Sequence, residues 1–343
     1  MNRPYGIGII GAGPVTQAIH LPVLASLGDE VRVTHIMDVD AHVAEAVAAQ
    51  AGARASTSVE AVLSDPGVHI VVVCSPHQFH AEQVTAAWEA GKQAVMCEKP
   101  LATTVEEAQR LANLATARGA LLVVGAMHVY DPAYRAARDY LVGRPPDLVR
   151  SVIYLPTNDQ FIGLSTELVS TAAPPRGPVE GSPAAQRAAS VRGGVLGLAI
   201  HNVPLVRELV PSVGRVAAAE ILVPWGYSLS LASGDQSAQL IGMMPGQWGP
   251  SWTLTAWSSE YELHVEFPPS YVLAGSALAT LTTASGTMSW RYSENGYQAE
   301  WRHLLDAVSG EAELPIPTQD AVDDLLYALE IAEGAAELVG REG

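Results

Sequence analysis

The first 125 residues alternate short apolar runs with Ala-rich segments of helical period, and this alternation constrains the fold more than any other feature. Apolar runs lie at YGIGIIG, VRVTHIMD, HIVVVCS, QAVMCEK and LLVVGAM. The segments between them, such as AHVAEAVAAQAG and TTVEEAQRLANLATARG, end at Gly, which is typical of helix termini. Strands that alternate with helices pair in parallel. The pattern predicts an α/β fold with a doubly wound parallel sheet.

From about residue 126 the pattern changes, so we expect two domains, residues 1–125 and residues 126–343. The Pro-, Ser- and Ala-rich stretch from Asn158 to Arg192 is expected to be a long loop or lid, with a floppy surface insertion as the alternative. Residues 215–292 predict antiparallel strands, most clearly at EYELHVEF, where apolar and polar residues alternate. Helices are expected at DPAYRAARDYLVG, AEWRHLLDAVSG and DAVDDLLYALEIAEGAAELV. The second domain is therefore expected to be α+β.

Composition narrows the classes of partner and the compartment. A length of 343 residues suits about two domains. A net charge of −17 argues against nucleic acid or an anionic membrane surface, since both repel such a protein. The amino-terminal stretch does not resemble a signal peptide, and the apolar runs are too short to span a membrane. Cys74 and Cys97 lie in strand-like runs and are expected to be buried free thiols, which indicates the reducing cytoplasm.

The stretch IGIIGAGPVTQAIHLPVL follows the first strand and opens a helix, which is the context of a dinucleotide-binding turn. Gly11 permits the tight turn, and Gly13 lets backbone amides approach a pyrophosphate. Thr16 replaces the third glycine and should hold the helix slightly further from the strand. Asp38 ends the second strand, where a carboxylate binds the adenosine ribose and repels a 2′-phosphate, so NAD is favoured over NADP. The alternatives are a plain strand–helix turn and an Asp38 that caps the next helix, although Asp40 is better placed for the cap.

Four stretches of the chain resemble one family of oxidoreductases. They are GIGIIGAG with HLPVL, IVVVCSPHQFHAEQVTAAWEAGKQAVMCEKPLA, RGGVLGLAIHNVPLVREL, and YQAEWRHLLDAVSGEAELPIPTQDAVDDLLYALEIAE. Together they resemble the glucose–fructose oxidoreductase / inositol dehydrogenase / rhizopine-catabolism (Gfo/Idh/MocA) family. The resemblance covers nearly the whole chain and is weakest over residues 150–190 and 215–290.

The resemblance implies an NAD-binding Rossmann domain over residues 1–125 and a substrate-binding and oligomerisation domain over residues 126–343. The sheet of the second domain is implied to be large, open and mostly antiparallel, and such sheets often form subunit contacts in the family. Most members oxidise or reduce a ring hydroxyl or carbonyl of a sugar, cyclitol or related compound. A homodimer or homotetramer is therefore expected through this sheet, in a region that contains five of the seven tryptophans: Trp225, Trp248, Trp252, Trp257 and Trp290.

The resemblance also gives a role to an unusual lysine. Of the 19 Lys and Arg residues only Lys92 and Lys99 are lysines, and Lys99 lies in the Glu-Lys-Pro element of VMCEKPL. By analogy Lys99 projects towards the nicotinamide and the substrate oxygen. Its ammonium would favour the developing alkoxide and relay a proton, which Arg does poorly because it holds its proton too tightly. The alternative is a structural pair between Lys99 and Glu98.

His201 occupies the position of the family's His in Asp-x-Gly-x-His, where it would take the hydroxyl proton as NAD⁺ accepts hydride. The sequence departs from this motif, because the Asp is replaced by Gly197, the Gly by Ala199 and a later Asp by Pro204. His201 is therefore a candidate catalytic residue, with a capping or core role as the alternative. Asn202 beside it is a candidate substrate-binding residue.

A second departure lies in GAMHVYDPAY, where the family more often has Asn and Arg. This sequence offers Met127, His128, Tyr130 and Asp131 instead. His128 and Tyr130 are candidate substrate-binding residues, and either is a candidate to replace the lost carboxylate as acid or base. The alternative is that they only line the cleft between the domains.

The expected cofactor contacts combine the glycine-rich turn, the second strand and the two loops of the resemblance. They are Gly11, Gly13, Pro14, Val15, Asp38, Ser75, Pro76, His77, His80, Glu98 and Lys99. No metal is expected, since His77 and His80 lack the carboxylate or thiolate companions of a zinc site.

The favoured function is an NAD-dependent oxidoreductase that acts on a secondary hydroxyl or ketone of a sugar, cyclitol or glycoside. One alternative is a redox-neutral enzyme that uses transient oxidation by bound NAD to cleave or eliminate at a glycoside. The other is a dinucleotide-binding sensor without catalysis. Lys99 argues against the sensor, whereas Gly197 argues for it.

Overall fold

The computed structural model describes residues 4–170, 181–244 and 249–341, which form two compact units. The first unit takes in Met1–Gly125, Ile162–Pro174 and Glu300–Asp323. The second takes in Ala126–Phe161, Pro175–Ala299 and Asp324–Gly343. None of the described helices is long and apolar enough to cross a bilayer.

Among the described residues, six parallel strands form the sheet of the first unit, in the order β3-β2-β1-β4-β5-β6. The strands are β1 (Tyr5–Ile10), β2 (Val31–Met37), β3 (Arg54–Ser56), β4 (Ile70–Val73), β5 (Ala94–Glu98) and β6 (Leu121–Gly125). Every side chain of β4 is buried, as expected for a strand covered on both faces. The predicted doubly wound sheet is confirmed. The strand order reverses between β1 and β4, and ligands of such sheets bind outside the carboxyl ends at this point.

The helices of residues 4–125 begin and end at residues suited to those positions. They are α1 (Leu21–Ser26), α2 (Ala41–Ala51), α3 (Val59–Leu63), α4 (His80–Glu89) and α5 (Val105–Arg118). The Asp40 carboxylate accepts from the first amides of α2, and the Thr104 hydroxyl accepts from Glu107 N at the start of α5. Gly52 and Gly119 follow these two helices at φ 64° and 58°, a left-handed conformation that glycine adopts without strain.

Within the described residues of the second unit, eight strands form one sheet in the order β14-β13-β12-β11-β7-β10-β9-β8. They are β7 (Leu148–Tyr154), β8 (Arg215–Leu222), β9 (Gly226–Ser233), β10 (Gln236–Met243), β11 (Ser251–Trp257), β12 (Tyr261–Glu266), β13 (Leu278–Thr283) and β14 (Gly286–Trp290). All neighbours are antiparallel except β7 and β10. The predicted antiparallel strands are confirmed.

Helices complete the second unit and the end of the chain. They are α6 (Met127–Tyr130), α7 (Pro132–Arg138), α8 (Asn158–Ser165), α9 (Pro183–Gly197), α10 (Val203–Leu209), α11 (Gly296–Ser309) and α12 (Thr318–Arg341). The prediction of a long loop from Asn158 to Arg192 is wrong over much of that stretch, because α8 and much of α9 lie in it. The Ser182 hydroxyl caps α9, and Pro183 follows at a first-turn position that needs no amide donor. Residues 171–180 of the stretch lie outside the described residues.

The sheet of the second unit buries alternate residues. In β7, Val149, Ser151 and Ile153 are buried, whereas the residues between them are partly exposed. Trp252 is buried on the inner face at 1% exposure. Trp225, Trp257 and Trp290 are half-buried, and Trp248 lies outside the described residues.

Candidate active site

The glycine-rich turn packs directly against the loop that follows β4. Gly11 has φ 98°, and a Cβ there would lie 2.6–2.7 Å from backbone atoms of Cys74 and Ser75. A side chain at Gly11 is therefore excluded both by conformation and by space. A Cβ on Gly13 would meet no atom within 4 Å, so the backbone here is open to a group from outside the chain. This pair of environments fits a turn that approaches a pyrophosphate.

Asp38 ties the end of β2 to the glycine-rich turn. Its Oδ2 accepts from Ala12 N at 2.9 Å, and its Oδ1 accepts from Asp40 N at 3.0 Å. Asp40, and not Asp38, caps α2, so the capping alternative for Asp38 is wrong. Each carboxylate oxygen has a second lone pair. Asp38 can thus accept further hydrogen bonds, as contact with a ribose diol requires.

Two side chains after the turn hold its backbone. Thr16 Oγ1 donates to Gly11 O at 2.6 Å, and Thr16–His20 forms a π-helical turn before α1. The amide of Gln17 donates to Ala12 O at 2.6 Å and to Val169 O at 2.7 Å, and its Oε1 accepts from Val169 N at 2.8 Å. Gln17 therefore ties residue 169 to the glycine-rich turn.

His80 joins the loops that follow β4 and β5. Its Nε2 lies 2.7 Å from Ser75 O, and its Nδ1 lies 2.8 Å from Pro100 O. Carbonyl oxygens only accept, so each of these contacts needs a proton on the ring nitrogen that makes it. Ser75 Oγ donates to Gln83 at 2.6 Å. His77 is exposed, and its pKa is lowered by burial of the ring nitrogens and by the charges of His80 and Lys99.

Glu98 and Lys99 follow each other at the carboxyl end of β5. Burial would raise the pKa of Glu98, but a hydrogen bond from His20 and the charge of Lys99 outweigh it and lower the pKa. The Glu98 carboxyl also lies against β6, where a Cβ on Gly125 would be 2.9 Å from its Oε1. Glu98 is therefore an ionised group held in a defined position.

Lys99 is half-buried, and burial lowers the pKa of its ammonium, while the Glu98 charge opposes that shift. A lysine with a lowered pKa exchanges its proton more easily near neutral pH. The two cysteines of the sequence are free, with Cys97 buried and Cys74 partly exposed, so the prediction of free thiols is confirmed.

A hydrogen-bonded cluster in the second unit centres on Asn202, which is 0% exposed. Its Oδ1 accepts from Trp252 Nε1 at 3.1 Å and lies 2.7 Å from His128 Nδ1, while its Nδ2 donates to Ser151 Oγ at 2.9 Å. Indole only donates, so the oxygen is assigned to that side and His128 carries its proton on Nδ1. Burial lowers the pKa of His128 to about 3, so the ring is neutral at physiological pH.

Three further positions of the second unit lie near these cluster residues along the chain. They are the candidates His201 and Tyr130, and Gly197, where the family has its Asp. The His201 ring lies edge-on to Trp252, with centroids 5.2 Å apart, and is partly exposed. Tyr130 is 2% exposed. A Cβ added at Gly197 would meet no atom within 4 Å, so packing does not forbid a side chain there. The fold therefore does not require glycine at position 197, where the family has its Asp.

The structure brings the predicted residues together in two sets, each within its own unit. Gly11, Gly13, Asp38, Ser75, His80, Glu98 and Lys99 belong to the first unit, at the carboxyl edge of its sheet. His128, Tyr130, His201 and Asn202 belong to the second. Among the described residues no group of three or more His, Cys, Asp or Glu side chains is placed to hold a metal ion.

Sequence reasoning assigned no role to four residues of the first unit: Gln17, His20, Glu300 and Trp301. His20 and Gln17 lie on the turn and helix after β1, but their partners are distant in sequence. Glu300 and Trp301 belong to α11, whose apolar period is that of an ordinary packed helix. No local pattern distinguishes them.

Residues 5–126 match the model of an oxidoreductase family with an NAD-binding Rossmann fold, GFO_IDH_MocA. Over residues 5–126 the chain is therefore similar to the Gfo/Idh/MocA family. Inositol 2-dehydrogenase 3 of Saccharopolyspora erythraea is 42% identical over 134 residues, which are 39% of this chain and 39% of that protein. The 1,5-anhydro-D-fructose reductase of Ensifer adhaerens is 36% identical over 168 residues, or 47% and 48% of the two chains. The match thus spans less than half the length of these relatives.

Solved structures of similar fold cover almost the whole of this chain. A 3-ketoreductase from Actinomadura kijaniata, in complex with TDP-benzene and NADP, has a TM-score of 0.72 at 19% identity over 97% of this chain and 98% of its own. A UDP-N-acetylglucosamine 3-dehydrogenase from Acidithiobacillus ferrooxidans has a TM-score of 0.74 at 17% identity over 99% and 100%. These structures confirm the fold of both units.

Proposed function

We propose that this protein is an NAD-dependent oxidoreductase that acts on a secondary hydroxyl or ketone of a sugar, cyclitol or glycoside. The observation that carries the proposal is the half-buried Lys99, whose pKa is lowered by burial, at the carboxyl edge of a dinucleotide-binding sheet. His20, from the helical turn that follows the glycine-rich turn, hydrogen-bonds Glu98 beside Lys99. The lysine and the dinucleotide turn therefore belong to one packed region.

The residues of the first unit fit a dinucleotide. The open backbone at Gly13 suits a pyrophosphate, and the spare lone pairs of Asp38 suit a ribose diol. The Asp38 charge would repel a 2′-phosphate, which favours NAD over NADP. When bound, the nicotinamide supplies the hydride acceptor or donor of the reaction.

In this proposal Lys99 stabilises the charge on the substrate oxygen, and His201 transfers the hydroxyl proton. The Lys99 ammonium donates a hydrogen bond to the substrate oxygen and stabilises negative charge on that oxygen as the C–H bond breaks. His201 takes the hydroxyl proton in oxidation and returns it in reduction. We favour His201 over His128 as the base, because a ring with a pKa of about 3 binds a proton weakly at neutral pH. In this proposal His128 and Asn202 shape the substrate-binding domain, residues 126–343.

The names of the relatives guide the choice of substrate class. They are an inositol dehydrogenase, a reductase of an anhydro-sugar, a 3-ketoreductase in complex with TDP-benzene and NADP, and a UDP-N-acetylglucosamine 3-dehydrogenase. Ring carbons bearing a secondary hydroxyl or ketone are common to these compounds. We therefore place inositols, anhydro-sugars, glycosides and nucleotide sugars first in the search.

The test mixes the protein with NAD⁺ and a panel of these compounds, and follows the absorbance of reduced nicotinamide together with product by chromatography. Reduction of NAD⁺ that depends on one compound supports the proposal. Product without net reduction supports the redox-neutral alternative. Tight NAD binding with neither result supports the sensor, for which the carboxylate missing at Gly197 is the favouring observation.

We also propose a homodimer or homotetramer through the sheet of the second unit. Its partly exposed face carries large apolar side chains, including Val152, Tyr154, Ile241, Met243 and Trp257, as an interface core requires. Light scattering at micromolar concentration tests this, and a monomer contradicts it. The free thiols suit a cytoplasmic protein, which fractionation of the source cells would test.

A further inference from the structure

His20 is completely buried in the first unit and has a hydrogen-bond partner on each ring nitrogen. Its Nε2 lies 3.1 Å from Oε1 of Glu98, and the indole Nε1 of Trp301 donates to its Nδ1 at 3.1 Å. The two rings meet edge to face, with planes at 79°. Trp301 is 0% exposed. Two fully buried side chains therefore connect α11 to the carboxylate next to Lys99.

The indole determines which nitrogen of His20 carries the proton. A Trp N–H only donates, so Nδ1 must present its lone pair. The ring proton then lies on Nε2 and donates to the Glu98 carboxylate. Burial opposes a charged ring, but Cys74 and Glu98 outweigh it and raise the pKa of His20. A second proton on Nδ1 would point at the Trp301 N–H, so Trp301 is the group that opposes it.

The surroundings of Glu98 favour its ionised form. It accepts from His20, and the charges of Lys99 and His80 lower its pKa against the effect of burial. Glu300 is 1% exposed, and burial and the Glu98 charge raise its pKa well above the ordinary range. Burial therefore favours the protonated form of Glu300, whose Oε2 has no hydrogen-bond partner among the described residues. The neighbouring thiols are those of Cys74 and Cys97, and burial raises the pKa of the latter.

We propose that Trp301 and His20 are positioning residues that hold Glu98 as a fixed, ionised counter-ion beside Lys99, and so set the pH at which Lys99 releases its proton. The catalytic meaning rests on the proposed function, because Lys99 is the lysine assigned there to the substrate oxygen. The protonation of Lys99 can nevertheless be measured without turnover.

The expected direction follows from the two opposing effects on Lys99. Burial favours the neutral amine, whereas the Glu98 charge favours the ammonium. Replacing Glu98 by Gln removes a charge that opposes the effect of burial, so Lys99 should lose its proton at lower pH. Trp301→Phe keeps the buried ring and removes the indole donor, so the proton of His20 is no longer confined to Nε2 and the hydrogen bond that holds Glu98 beside Lys99 weakens. Both variants should lower the pH at which Lys99 loses its proton.

The composition of the chain makes the measurement direct, since Lys92 and Lys99 are its only lysines. Trace acetylation over a range of alkaline pH, read by mass spectrometry of the two lysine peptides, gives a titration midpoint for each amine. Lys92 serves as the internal reference. The control variant is Trp88→Phe, because Trp88 is 3% exposed and its Nε1 has no hydrogen-bond partner among the described residues.

We expect the Lys99 midpoint to fall by about one pH unit in Glu98→Gln and by a smaller amount in Trp301→Phe. The Lys92 midpoint and both midpoints of Trp88→Phe should stay at the parent values. The proposal is overturned if the Lys99 midpoint of Trp301→Phe equals that of the parent. It is also overturned if the Lys99 midpoint falls as far in Trp88→Phe as in Trp301→Phe. If Trp301→Phe does not fold, its lysines titrate as ordinary amines, and an unchanged midpoint in Glu98→Gln overturns the proposal instead.

Shifted midpoints in a protein that turns over no compound refute the proposed function and leave the positioning role standing. In an active protein the fall of kcat/KM at high pH should move with the Lys99 midpoint, because the ammonium is the form that stabilises the alkoxide. A purely structural role of His20 and Trp301 would lower stability without moving this limb of the pH profile.

Discussion

Strand β5 has a lysine near each end, and the two lysines are used differently. At the amino end, Lys92 Nζ donates to Asp65 O and Val68 O, both at 2.9 Å. At the carboxyl end, Lys99 stands beside the ionised Glu98, on the edge that carries the dinucleotide turn. Burial lowers the pKa of both ammonium groups, and a neighbouring carboxylate opposes the shift in each case.

The comparison shows that a shifted pKa does not by itself identify a catalytic lysine. Lys92 has the same kind of shift, yet its ammonium is engaged by backbone carbonyls and stabilises the turn before β4. What distinguishes Lys99 is its position at the carboxyl edge of a parallel sheet, where ligands bind. Variants at the carboxyl edge should therefore change chemistry, and variants at the amino edge should change stability.

The largest effect is expected at Lys99. Lys99→Ala should lower kcat by about 10²–10³, roughly 2.7–4 kcal/mol, because a donor to the developing oxyanion is lost. NAD affinity, measured by fluorescence titration, should change little. Lys99→Arg should be impaired as well, since a guanidinium is displaced and holds its proton. Near-normal kcat in Lys99→Arg would end the catalytic assignment and leave a structural ion pair with Glu98.

Lys92→Met should lower stability instead of activity. The substitution keeps the apolar stem and leaves two backbone carbonyls without their charged donor, a loss of about 1.5–3 kcal/mol in the free energy of unfolding. Urea unfolding at constant pH measures it, with kcat of the folded variant as the companion value. A Lys92→Met protein with parent stability and a low kcat would mean that Lys92, and not only Lys99, serves catalysis.

Asp38 tests the carboxyl edge at a second strand. If its carboxylate binds the ribose diol, the parent protein should bind NAD at least about tenfold tighter than NADP, near 1.4 kcal/mol. Asp38→Ser should narrow that ratio, because the charge that repels a 2′-phosphate is gone. Equal affinity for both dinucleotides in the parent protein rules out this role for Asp38.

The smallest effect on catalysis is expected at Glu300, although it is buried close to the site. Burial favours the protonated form of Glu300, and Glu300→Gln replaces that form by a neutral amide of similar shape, so kcat should stay within about twofold, below 0.5 kcal/mol. The free energy of unfolding of Glu300→Gln should gain on that of the parent as pH rises. The folded pKa of Glu300 is raised, so the folded parent keeps a proton that its unfolded chain has already released, and the parent loses stability. The gain is about 1.4 kcal/mol per pH unit between the unfolded and the folded pKa. A pH-independent difference in stability would mean that Glu300 is ionised.

Local patterns were sufficient to predict the parallel sheet, the antiparallel sheet and most helices, because burial on both faces or on one face leaves a period in the sequence. The same reasoning failed between Asn158 and Arg192. There α9 is rich in Ala and Gly and has little amphipathic period, so its Ser182 cap and Pro183 start were the available signals.

Candidate site residues could be proposed from the sequence where a local motif contains them, as at Gly11, Asp38 and Lys99. It was not predictable where function depends on contacts between distant segments. His20 meets Glu98 across 78 positions and Trp301 across 281. Nothing in the sequence near Glu300 indicates that the pKa of its carboxyl is raised, since that shift comes from burial in the folded chain.

The close approach of Gly125 to Glu98 restricts how this protein can diverge. Gly125 does not have a positive φ, so its backbone would accept alanine, yet the methyl group would lie 2.9 Å from the Glu98 carboxyl. Moving the Glu98 carboxyl away from that methyl group would disturb its hydrogen bond with His20, so a mutational scan should find position 125 poorly tolerant for a reason that its own conformation does not reveal. Tolerance should return when position 98 carries the shorter Asp, so the two sites are expected to evolve as a pair.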